Sequence, residues 1–81
     1  MKLFVDDDRP VPDHTWVLAQ RSVDALKIMR AFYIVGWKID VLSLDHDLST
    51  VMYEDDTSRP IMEWMVARNE WPTELYIHTA N

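Results

Sequence analysis

The hydrophobic and polar positions fall into short blocks whose spacing changes from strand to helix along the chain. Lys2 to Val5 is short, apolar and β-prone, and it stops at three consecutive aspartates. The segment from Asp6 to Asp13 cannot continue a strand, because Pro10 and Pro12 lack amide donors and fix φ. Thr15 to Ala19 predicts a second strand. From Val23 the apolar residues Val23, Leu26, Met29, Phe32 and Tyr33 recur at helical spacing. Ser22 is the expected N-cap, with Asp24 in the first turn. Gly36, the sole glycine, stands where a residue with positive φ would end the helix. Ile39 to Leu44 reads as a third strand ending at Asp45, followed by a polar loop from Ser49 to Thr57. Thr57 or Ser58 can cap a second helix with Pro60 in its first turn and Ile61, Trp64 and Met65 on one face. Trp71-Pro72 is expected to close that helix, and Glu74 to His78 reads as the last strand.

Strands alternating with helices imply a parallel sheet with right-handed crossovers. Sites in such sheets form beyond the carboxyl ends of the strands. Asp6 to Asp8, Asp45 to Asp47 and His78 to Asn81 all lie at predicted strand ends. Nothing separates the chain into halves, so residues 1–81 are expected to form one domain.

Composition narrows the chemistry. With no cysteine, disulfides, thiolate zinc sites and thiol catalysis are excluded. No run approaches the roughly 18 apolar residues of a membrane span, and the N-terminus lacks a signal-peptide pattern, so a cytoplasmic location is expected. The net charge of −6 argues against direct binding to nucleic-acid backbones, which takes Lys and Arg.

Aspartates gathered at adjacent strand ends raise one another's pKa unless something neutralises them. Mg²⁺ (or Mn²⁺) is the usual solution, held by one or two carboxylates together with waters and a substrate phosphate. Asp6 with Asp45 leads this reading, and Asp8 and Asp47 follow. Aspartate is also a favoured loop and cap residue, which is the expectation for Asp13 and the 54–56 run. His78 and His46 could face the same cleft and serve as acid, base or ligand; His14 is expected to be a surface residue. Arg9 could grip a phosphate through its planar fork. The four tryptophans are expected to pack in the core and at its rim.

Three segments taken in order, Leu3-Phe4-Val5-Asp6-Asp7-Asp8-Arg9-Pro10, Leu42-Ser43-Leu44-Asp45-His46-Asp47-Leu48 and Ile77-His78-Thr79-Ala80-Asn81, resemble the cyclic-phosphate processing receiver-like domain family. That family is a variant of the response-regulator receiver fold found in bacteria and their viruses, and it is thought to bind or act on cyclic or terminal phosphates. The resemblance implies an α/β domain of two or three layers. Its four-stranded, mainly parallel sheet would have the order 2-1-3-4, as in a truncated receiver or flavodoxin-like fold. It implies that Asp6 and Asp7 match the acidic pair that holds Mg²⁺, Asp45 the phosphoacceptor and Thr79 the hydroxyl that senses a phosphoryl group. Asp8, Arg9, His46, Asp47, His78 and Asn81 match positions that mark the cyclic-phosphate variant. Receivers continue into a fifth strand with an essential lysine, which the sequence after the fourth predicted strand does not contain, so ordinary phosphotransfer is not expected.

Two functions follow as expectations. One is a metal-dependent phosphodiesterase-like site, with Asp6, Asp7, Asp45 and Asp8 as metal ligands. Arg9, Thr79 and Asn81 would bind phosphate, and His78, His46 and Asp47 would act in catalysis on a small phosphate-containing ligand. The other is a non-catalytic acidic protein, such as a viral accessory factor that binds and inhibits a host protein in a phage-infected cell. An unpaired fourth strand would also expose an edge inviting a homodimer.

Overall fold

A computed structural model describes residues 1–45 and 57–78. Strands β1 (Lys2–Val5), β2 (Trp16–Ala19), β3 (Val41–Asp45) and β4 (Glu74–His78) and helices α1 (Ser22–Val35) and α2 (Arg59–Arg68) follow the predicted order. The sheet order is β2-β1-β3-β4, and each of the three strand pairs is parallel. The connection from β1 to β2 carries no helix, as its two prolines dictate.

The strands sort their side chains by parity. Leu3, Val5, Ala19, Leu42 and Leu44 join Ala25 and Met29 of α1 and Ile61, Trp64 and Met65 of α2 in one apolar core. Both helices therefore lie on the same face of the sheet, and the described residues form two layers. Tyr33 and Trp64 join the helices edge to face, with ring centroids 5.8 Å apart. On the opposite face Phe4 packs between Trp16 (5.8 Å) and His78 (5.9 Å), with the Lys2 ammonium over the Trp16 ring. This face explains why Phe4 is buried on a side of the sheet that no described helix covers.

Several local expectations need correction. β2 begins at Trp16 rather than Thr15, and β3 at Val41 rather than Ile39. Ile39 and Asp40 instead turn their carbonyls to the amides of Thr73 and Glu74. Ser22 is the first helical residue and is buried, so Arg21 occupies the N-cap without a side-chain cap bond. The inner stripe of α1 is Ser22, Ala25 and Met29, while Val23 and Tyr33 are 43% and 47% exposed. The small Ala25 admits the helix to the sheet, which hydrophobicity counting along the chain undervalues. At α2 it is the Thr57 hydroxyl that accepts the Arg59 amide, at 3.2 Å; Ser58 occupies the N-cap, buried, and makes no side-chain cap bond.

Both helices end in left-handed turns. Gly36 takes φ 78°, its amide donating to Tyr33 and that of Trp37 to Phe32. The Trp37 and Phe32 rings then meet 5.6 Å apart, the apolar contact that accompanies this type of helix end. α2 ends the same way at Asn69 (φ 51°), before Trp71-Pro72, so the proline does not close it.

Candidate metal centre

Asp6 follows β1 directly, and its amide continues the β1–β2 ladder to the Ala19 carbonyl at 3.1 Å. Its Oδ1 accepts the amides of Asp8 and Arg9, each at 2.9 Å. Aspartate makes this turn because its short carboxylate reaches backbone donors two and three residues on. The turn carries the chain off the sheet just where Pro10 would end pairing. Asp45 is the last residue of β3, one step beyond the paired Val5 and Leu44, which sets it beside Asp6. Asp6 and Asp45 are 1% and 2% exposed, and Asp7 is partly buried.

Ligand oxygens of Asp6, Asp7 and Asp45 lie within 4.8 Å of one another. Burial raises the Asp7 pKa, repulsion from Asp45, Asp6 and Asp8 adds to that, and a backbone hydrogen bond partly offsets it. Among the described residues Asp6 Oδ2 is buried with no hydrogen-bond partner. Buried carboxylate oxygens are normally satisfied, so an oxygen-rich recess with an orphaned acceptor fits a hard cation that takes oxygen ligands.

His78 stands opposite Asp45 in the β3–β4 register. Its Nε2 lies 3.1 Å from Ser43 Oγ, its ring stacks on Phe4, and its Nδ1 faces Asp6 Oδ2 at 3.9 Å. That gap is too wide for a hydrogen bond, and among the described residues His78 Nδ1 is likewise buried without a partner.

Of the expected site residues, the structure brings Asp6, Asp7, Asp45 and His78 together. Asp8 and Arg9 are exposed beside the cluster and supply amides to Asp6. The group that could hold an ion does not include Asp8, whose charge nonetheless acts on Asp7. His46, Asp47, Thr79 and Asn81 lie outside the described residues. His14 is exposed. Ser43 is a partner that the sequence reading missed. Its signal was present: a lone hydroxyl inside the apolar run Leu42-Ser43-Leu44 must find a hydrogen bond when buried.

An open concavity of about 370 Å³ lies at the other end of the fold, lined by residues that include Phe32, Tyr33, Trp37, Trp64 and Trp71. It is the seam between the C-terminal ends of the two helices, and neither Asp6, Asp7 nor Asp45 lines it. No helix among the described residues is long and apolar enough to cross a membrane.

No curated protein and no solved structure matches the chain. A family model, that of the cyclic-phosphate processing receiver domain, matches residues 1–81. With its four parallel strands in receiver order and its acidic cluster at the strand ends, this chain belongs to that family.

Proposed function

We propose that this domain binds a cyclic or terminal phosphate at a Mg²⁺- or Mn²⁺-dependent site and, where the phosphate is cyclic, adds water across one of its two ester bonds as a phosphodiesterase does. The observation that carries this reading is the convergence of Asp6, Asp7 and Asp45 around a buried carboxylate oxygen with no hydrogen-bond partner among the described residues. Family membership supplies the phosphate class.

Asp6, Asp7 and Asp45 would hold the ion. A bound divalent cation there supplies Lewis-acid polarisation of a phosphoryl oxygen and a more acidic water. The chain's own groups do the rest. Arg9, whose backbone N–H donates a hydrogen bond to Asp6 Oδ1, keeps an exposed guanidinium in solvent, from which a phosphate arrives. Ser43 and Phe4 hold the His78 ring so that Nδ1, directed at the carboxylates, gives or takes a proton. Thr79, Asn81, His46 and Asp47 follow in sequence the ends of β4 and β3 and would complete the phosphate and proton contacts.

Thermal melts with increasing Mg²⁺ or Mn²⁺ test the site. The midpoint rises with metal, by the equivalent of about 2.7 kcal/mol at a hundredfold excess over Kd, and Asp45→Asn abolishes the rise. A screen of cyclic nucleotides and 2′,3′-cyclic phosphates with metal then identifies the substrate. His78→Ala loses turnover while keeping the metal response. A midpoint indifferent to both cations overturns the reading.

A further inference from the structure

We propose that β4 is a self-pairing edge, through which two copies of this chain form a two-fold dimer with Tyr76 on the axis. The inference is independent of the phosphate reading.

Among the described residues β4 pairs with β3 alone and forms one border of the sheet. The Glu74 amide donates inward, to the Asp40 carbonyl at 2.9 Å. Backbone groups alternate along a strand, so Tyr76 and His78 also turn inward, while the amides and carbonyls of Leu75 and Ile77 face the border without a backbone partner among the described residues. Protection of that border within Glu74-Leu75-Tyr76-Ile77-His78 is slight: one charged residue, Glu74, stands at its start, and it holds no Lys, Arg or Pro. Tyr76 and Ile77 are 55% and 51% exposed.

The strand complements itself when antiparallel. Only an alignment centred on Tyr76 pairs all five residues in phase with the outward groups. Leu75 then exchanges two backbone hydrogen bonds with Ile77 of the second copy, and Ile77 two with Leu75. Apolar side chains meet on the helix side of the sheet. On the other side Tyr76 faces its own copy at a non-hydrogen-bonded position, where aromatic pairs contribute most. Glu74 falls opposite His78, so no cross-strand position opposes like charges. Shifting the centre to Leu75 instead brings Pro72 against His78 and shortens the ladder. A second copy is thus the partner whose side chains match this edge on both faces.

The absence of cysteine makes the geometry testable by crosslinking. At the axis, Tyr76→Cys places two thiols on Cα atoms about 4.5 Å apart, within disulfide reach. Glu74→Cys places its pair about 14 Å apart across four residues of each ladder, beyond reach. Sedimentation of the full chain is expected to show a concentration-dependent dimer. Under mild oxidation Tyr76→Cys gives a covalent dimer and Glu74→Cys does not. Tyr76→Lys and Tyr76→Glu are each monomeric, and mixing them restores a dimer. A chain that stays monomeric at every concentration overturns the proposal. So does equal crosslinking of the two cysteine variants, or a Lys–Glu mixture that remains monomeric.

Discussion

Asp7 shows what the fold does to a single residue. Burial raises its pKa above the ordinary value of 3.8, and three neighbouring aspartates push the same way. A raised folded-state pKa means the folded chain holds this proton to higher pH than the unfolded chain does. In metal-free protein the Asp7 contribution therefore destabilises progressively as pH rises from about 4 through the folded pKa. Asp13, held low by hydrogen bonds from Thr15, and Asp40, held low by the N-terminal ammonium, act in the opposite sense. Their stabilisation is present above the ordinary value and is lost as pH falls through their lowered pKa values. Comparing Asp7→Asn with the parent protein isolates the first effect. In chelator, Asp7→Asn is expected to melt higher than the parent at neutral pH, with the difference shrinking toward about pH 4. The variant also loses part of the Mg²⁺ response. Melts across the pH range check both outcomes; a parent that matches Asp7→Asn at every pH refutes the strain assigned to this carboxylate. Asp6, Asp7 and Asp45 could be read directly from sequence, because aspartates that stop parallel strands must share one end of the sheet. Ser43 and Phe4 could not be assigned to His78 in that way, since their meeting depends on register.

Helix ends carry the lesson at the scale of elements. Gly36 adopts φ 78°, and a Cβ added there would meet nothing within 4 Å. Gly36→Ala therefore carries only the left-handed backbone penalty, about 1 kcal/mol. The unfolding free energy should fall by that amount with an unchanged slope, lowering the urea midpoint by roughly 0.3–1 M; an unaltered midpoint would show that the turn does not limit stability. The glycine was readable because no other residue type is so free at positive φ. Asn69 was not, although it ends α2 in the same conformation. Asparagine also suits loops and caps, and Pro72 drew the boundary further along than the backbone places it. The N-terminal ends failed for a related reason. Ser22, Thr57 and Ser58 are all competent caps, and the choice among them follows from how each helix seats on the sheet.

For the whole molecule, the core is thin and concentrated. Leu3, Leu42, Leu44, Ile61 and Met65 are wholly buried, in a domain of 81 residues whose total stability is expected near 4–12 kcal/mol. Leu42→Ala at the centre of the sheet should cost about 3 kcal/mol, a large share of the total. Chemical denaturation measures it, and a loss below about 1 kcal/mol would mean the core relaxes around the gap. By itself the sequence determined the order of strands and helices, the helix-free first connection and the placing of Asp6, Asp7 and Asp45 at strand ends. These follow from periodicity, proline and strand termination, which are local properties of the chain. Only the tertiary structure decided that both helices share one face, that Ala25 rather than Val23 faces the core, and that His78 is held between Ser43 and Phe4 opposite the carboxylates. Those outcomes depend on register and packing between residues tens of positions apart, where small differences in volume and hydrogen bonding, invisible to any local pattern, choose the arrangement.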